Sequence, residues 1–119
     1  MTNEYVVGHV DDLPVGGRIL TKIGNRLIGV FNIAGKYYAL PNVCIHQNGP
    51  LCDGAVSGTL KANRETGWKV EWAQEGEILV CPWHSMEYDI TTGQCLAFPE
   101  MRLPTYDVEV KDGQIVVRL

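Results

Sequence analysis

The sequence predicts an all-β fold, a small antiparallel β-sandwich or barrel, and three observations predict it. No stretch repeats apolar residues at the 3.6-residue spacing of an amphipathic helix. The apolar runs are short and rich in β-branched and aromatic residues, as strands are. Gly, Pro, Asn and Asp recur between them as closely spaced turn signals. Two short loops, each carrying one Cys and one His, interrupt the strands.

In chain order, Tyr5-Val6-Val7 opens a strand, and the Asp-, Pro- and Gly-dense residues 10–17 turn the chain. Residues 18–23 and 26–33 are extended runs on either side of Gly24-Asn25, a hairpin signal. Ala34-Gly35-Lys36 turns into the strand 37–40. Residues 41–54 form a loop rich in Asn, Gly and Pro, which suits a backbone that must wrap closely around something. Ile78-Leu79-Val80 is an apolar strand delivering Cys81. Pro82 has no N–H for a sheet ladder and ends that strand. A strand at 88–90 is turned by Thr91-Thr92-Gly93-Gln94, and residues 97–104 are irregular. The strands 105–111 and 114–119 flank Asp112-Gly113, the strongest short hairpin signal in the chain.

A length of 119 residues predicts a single domain, 1–119, with its own core. The net charge of −4 argues against nucleic acid, whose binding faces are basic. No run approaches the ~18 apolar residues of a membrane span, and no signal-peptide core is visible, so a soluble, cytoplasmic chain with no membrane contact is expected. In that compartment the cysteines are expected to be reduced.

The chemistry lies in Cys44-Ile45-His46 and Cys81-Pro82-Trp83-His84. Cys and His one or two residues apart on a tight loop can face one metal centre, and thiolate with imidazole suits zinc, copper or iron–sulfur clusters rather than magnesium or calcium. Four such ligands, Cys44, His46, Cys81 and His84, fit a closed tetrahedral zinc site. They equally fit a [2Fe–2S] cluster with two Cys on one iron and two His on the other.

The surrounding residues resemble the Rieske iron–sulfur family, which carries Cys-x-His and, further on, Cys-x-x-His. The likeness runs through Gln47-Asn48-Gly49-Pro50-Leu51, Asp53-Gly54 and Val56-Ser57-Gly58. It continues through Ser85-Met86-Glu87-Tyr88-Asp89-Ile90, Thr91-Thr92-Gly93-Gln94 and Leu103-Pro104-Thr105-Tyr106, and so covers nearly the whole chain. It implies a Rieske-like fold whose cluster subdomain is formed by the two loops, and one [2Fe–2S] cluster per chain on Cys44, His46, Cys81 and His84. Against the shorter members, residues 60–76 look like an insertion. Within it Trp68-Lys69-Val70-Glu71-Trp72 alternates apolar and charged, so an inserted hairpin is expected near the cluster end. Trp68 and Trp72 are expected either to pack down on the domain or to offer a docking face.

The high-potential members of the family carry a disulfide between the two loops. Its positions fall at Gly49 and Trp83 here, so it is absent. Cys52 and Cys95 are expected to be thiols. Those members also carry a Ser two residues after the last His and a Tyr four after; here the positions hold Met86 and Tyr88. A potential in the lower half of the family range, roughly −150 to +300 mV, is expected, with Tyr88 either a donor to a ligand sulfur or a packing residue. Oxygenase members of the family add an iron held by two His and a carboxylate. Only His9 remains once the cluster takes two, so that site cannot be built, and no G-x-G-x-x-G marks a dinucleotide site. The resemblance therefore implies a stand-alone Rieske-type ferredoxin, not an enzyme in itself, monomeric when free. Its partners would be a flavin-dependent reductase and the terminal oxygenase of a ring-hydroxylating dioxygenase system. The alternatives are a Rieske-like small subunit of an assimilatory nitrite reductase and a zinc-stabilised binding module.

Overall fold

The computed structural model describes residues 3–42, 51–62, 64, 67–82 and 86–119. Within them lie strands β1 (Glu4–His9), β2 (Arg18–Ile23), β3 (Arg26–Ile33), β4 (Lys36–Pro41), β5 (Ala55–Lys61), β6 (Glu71–Val80), β7 (Glu87–Asp89), β8 (Asp107–Lys111) and β9 (Gln114–Arg118). They form three antiparallel sheets of three strands, in the orders β1-β9-β8, β2-β3-β4 and β5-β6-β7. Tight turns set the register. Ala34 and Gly35 (φ 53° and 92°), and Asp112 and Gly113 (φ 49° and 77°), both take the positive φ that a two-residue hairpin turn requires. The terminal sheet meets the β2-β3-β4 sheet at Tyr106, just before β8, whose N–H donates to the Ala39 carbonyl on β4 at 3.0 Å.

The central strand of the β2-β3-β4 sheet is buried on both faces: β3 is covered without a break from Ile28 to Asn32. Ile28 and Val30 point into one core, with Leu13, Ala39, Ile115 and Val117 from the terminal sheet. Phe31 and, on β4, Leu40 point the other way, into a second core with Leu51, Leu79, Tyr88, Ile90 and Leu103. The strand period of two thus sends alternate residues of one hairpin into two cores. Asn32 is the polar residue in that buried run. It is satisfied at both ends of its amide, donating to the Leu13 carbonyl and accepting from the Gly35 N–H, each at 2.9 Å.

The stretch 60–76 differs from the sequence expectation in two ways. The expected strand 68–72 does not form as a unit: Trp68 sits at φ 62°, and β6 begins only at Glu71. Alternation alone did not register the Gly67-Trp68 turn. Nor does Trp68 pack down, whereas Trp72, though largely exposed, lays its indole against Gly58. Trp68 is 70% exposed, Val70 68% and Trp72 56%. The hairpin itself is a continuation of β5 and β6. Their register jumps from Ser57↔Ile78 to Thr59↔Ala73, so four residues of β6 bulge opposite Gly58. Thr59 Oγ1, next to the bulge, donates to Glu87 Oε1 at 3.0 Å, and Gln74 Nε2, within it, donates to Asp89 Oδ2 at 2.9 Å, which ties the hairpin's root to β7. Among the described residues no helix is long and apolar enough to cross a membrane.

Candidate metal centre

The stems of both Cys/His loops meet at one end of the β5-β6-β7 sheet. The first loop leaves β4 at Pro41 and rejoins the described chain at the 3₁₀ turn Leu51–Asp53, directly before β5. The second lies between β6 and β7. Ala55 pairs with Val80, and Val80 pairs with Glu87. The end of the first loop and both ends of the second therefore lie side by side.

Polar contacts close each stem. Across the first, the Cys52 N–H donates to Asn42 Oδ1 at 2.6 Å, and the Asn42 N–H donates to the Leu27 carbonyl at 2.7 Å. Arg18, on β2, donates through Nη1 to the Cys52 carbonyl at 2.9 Å and also to the Gly54 carbonyl, with its guanidinium 5.7 Å from the centre of the Phe31 ring. Across the second, the Cys81 N–H donates to the Met86 carbonyl at 2.8 Å. The two stems are in direct contact at Gly54: a Cβ there would overlap the Val80 carbonyl, the group immediately before Cys81.

Two buried contacts support this floor. A Cβ at Gly29 would lie 2.5 Å from Cys52 Sγ, so β3 needs a glycine where the stem presses on it. Burial pushes the Cys52 thiol up to about 12, against a weaker lowering by its hydrogen bond with the Gly29 backbone. Such a thiol stays protonated, and it points at the Pro41 carbonyl (3.6 Å) as a weak donor.

Of the four expected ligands, Cys81 is described: it is fully buried at the end of β6, in the same core as Leu51, Cys52 and Tyr88. Cys44, His46 and His84 lie outside the described residues. Among the described residues no three His, Cys, Asp or Glu are grouped to hold a metal. Cys52 and Cys95 are both buried and share no disulfide. His9 is a surface residue whose Nδ1 accepts from the Asp11 N–H at 3.1 Å.

The floor fits a cluster bridging two loops. Two thiolates and two imidazoles on separate loops can share one cluster only if the loop stems are held at a fixed spacing. Here backbone lies against backbone at Gly54 and Val80, next to Cys81. Residues 3–107 match the Rieske [2Fe-2S] domain family. The chain belongs to that family.

The Rieske chain's cofactor is accordingly a Rieske-type [2Fe–2S] cluster. The chain is 24% identical to the ferredoxin component of the naphthalene 1,2-dioxygenase/salicylate 5-hydroxylase systems of Ralstonia sp, over 100% of this chain and 99% of that protein. It is 26% identical to the 3-phenylpropionate/cinnamic acid dioxygenase ferredoxin subunit of Escherichia coli K12, over 92% and 88%. Among solved structures it resembles Sphingomonas yanoikuyae B1 ferredoxin, with a TM-score of 0.72 at 26% identity over 98% and 99%. The all-β Rieske architecture expected from the sequence is the one found. The sequence reading missed Arg18, Asn42 and Gly29. Arg18 carries no local signal, since an Arg opening a strand is ordinary, and Asn42 was visible only as one more polar loop residue.

Proposed function

We propose that Cys44, His46, Cys81 and His84 hold the [2Fe–2S] cluster. We further propose that the chain, soluble in the cytoplasm and monomeric when free, carries single electrons from a flavin-dependent reductase to the terminal oxygenase of a ring-hydroxylating dioxygenase system. The observation that carries this reading is the match, end to end, with proteins that are themselves ferredoxin components of dioxygenases. A cluster with two imidazole ligands supplies a one-electron couple at higher potential than an all-thiolate cluster. The protein's share is structural. Asn42, Arg18 and the Cys81–Met86 hydrogen bond fasten the stems, and the second core excludes water from beneath them. The three His of the chain leave only His9 outside the proposed ligand set, so the substrate chemistry belongs to a partner.

The test is the electron paramagnetic resonance of the dithionite-reduced protein with an iron count, followed by turnover with a dioxygenase reductase and oxygenase. A Rieske-type rhombic signal, two irons per chain and reductase-dependent transfer are expected. One zinc per chain and no signal would refute the ligand assignment. A stable complex with a large sirohaem subunit would replace the dioxygenase partner by nitrite reductase.

A further inference from the structure

We propose that Arg18 is a positioning residue for the cluster, although it lies on β2, outside both ligand loops. Three contacts converge on it. Its Nη1 donates to the Cys52 carbonyl at 2.9 Å and to the Gly54 carbonyl, and its guanidinium stands over the Phe31 ring at 5.7 Å to the centre. The two carbonyls belong to the exit of the first loop. Gly54 is also the residue whose backbone touches the Val80 carbonyl at the start of the second loop. One partly buried cation thus fastens the point where both stems meet.

Two consequences follow from the chemistry of the group. Both carbonyls are engaged by the one nitrogen Nη1, whose N–H groups are fixed in the rigid guanidinium plane that stands over Phe31, whereas an ammonium is a point charge on a flexible stem and cannot keep ring and carbonyls together. The charge also sits where the stems of the two Cys/His loops meet, and the cluster proposed on those loops gains a negative charge on reduction. In a partly buried setting the guanidinium favours the reduced state and raises the potential. Asn42 adds a second tie across the same stem, but without charge. Arg18 therefore contributes both to how firmly the loops are held and to how readily the cluster accepts an electron.

This inference rests on the proposed assignment of the cluster to the two loops. The wild-type iron count and resonance signal test that assignment alone, and the variants test Arg18. In purified holoprotein, iron release to a chelator and the midpoint potential are measured for R18K and R18M. R18K keeps the charge and loses the planar group that Phe31 holds in place, so about threefold faster iron release is expected, with a potential close to wild type. R18M loses both. It should release iron at least as fast as R18K, and its reduction equilibrium with a fixed redox partner should fall about threefold, a downward shift of about 28 mV for one electron. A merely structural arginine lowers the melting temperature without moving the potential of the intact cluster. Iron release from R18K at the wild-type rate overturns the clamp, whether or not R18M folds. A wild-type potential in folded R18M overturns the electrostatic part.

Discussion

Gly54→Ala is the sharpest test of the shared stem. The added Cβ would overlap the Val80 carbonyl oxygen, lie 2.9 Å from the Val80 carbonyl carbon and 3.1 Å from the Leu51 oxygen. All three are backbone atoms at the junction of the β5–β6 pair with the 3₁₀ turn, so none can rotate aside. Relief requires Ala55 and Val80 to part, which also pulls the Gly54 carbonyl from Arg18. Overpacking of this kind costs about 1–3 kcal/mol, and a weakened hydrogen bond to a charged donor adds about 1 kcal/mol. Replacing glycine returns about 0.4–1 kcal/mol through the unfolded chain. A net loss of about 1–3.6 kcal/mol remains. With an unfolding entropy near 2.1 cal/mol/K per residue over 119 residues, the melting temperature falls by about 4–14 °C. Thermal unfolding followed by circular dichroism measures the shift, and iron content after purification reads the loops directly. Gly16→Ala is the control. Gly16 has a positive φ of 84° but nothing within 4 Å of the added carbon, so it pays only for backbone strain and should keep its iron. A Gly54→Ala protein with wild-type melting temperature and iron content would refute the account of two stems in contact.

Four further outcomes are expected. His84→Cys replaces a neutral ligand by a thiolate and should lower the midpoint potential strongly while keeping a cluster; an unchanged potential removes His84 from the ligand set. Tyr88 is fully buried in the core that contains Cys81, and Tyr88→Phe should lower the potential modestly if its hydroxyl donates to a ligand sulfur, whereas no shift assigns it to packing. The Cys52 thiol is raised from its ordinary value of 9.0 to about 12, so between those values the unfolded chain loses a proton that the folded chain keeps. Stability from this group is therefore whole below pH 9 and declines as pH rises towards 12; denaturant midpoints across that window should fall less steeply in Cys52→Ala than in wild type. Trp68→Ser should change stability by no more than about 0.5 kcal/mol, because the ring is 70% exposed; a larger loss in urea unfolding would show that the indole packs on the domain after all.

How much of this was legible in the sequence follows from where each signal comes from. Strands β2 and β3 were readable to the residue because Gly24-Asn25 separates two uninterrupted extended runs. The Asp112-Gly113 hairpin was readable because that pair supplies two positive φ angles at little cost. These signals are local, as is the spacing of each Cys/His pair. Where local alternation met a backbone constraint, it misled: Trp68 fits a strand pattern by composition, yet φ 62° turns the chain and leaves the ring outside.

What no local pattern carries is the floor beneath the loops. Arg18 reaches residues 34 and 36 positions away, and Gly29 is required by the sulfur of Cys52, 23 positions on. Each contact depends on the β2-β3-β4 sheet lying between two cores, which the sequence shows only as an unusually unbroken apolar stretch in β3. That double burial also assigns a role to the middle sheet. One face packs against the terminal sheet, while the other face presents Phe31, Leu40 and the Gly29 gap to the stems, so the cluster loops are held by strands that contribute no ligand to them. A protein built this way can vary its loop tips without losing their foundation, and the proposed role of Arg18 extends the residues that retain the cluster to a sheet with no Cys or His of its own.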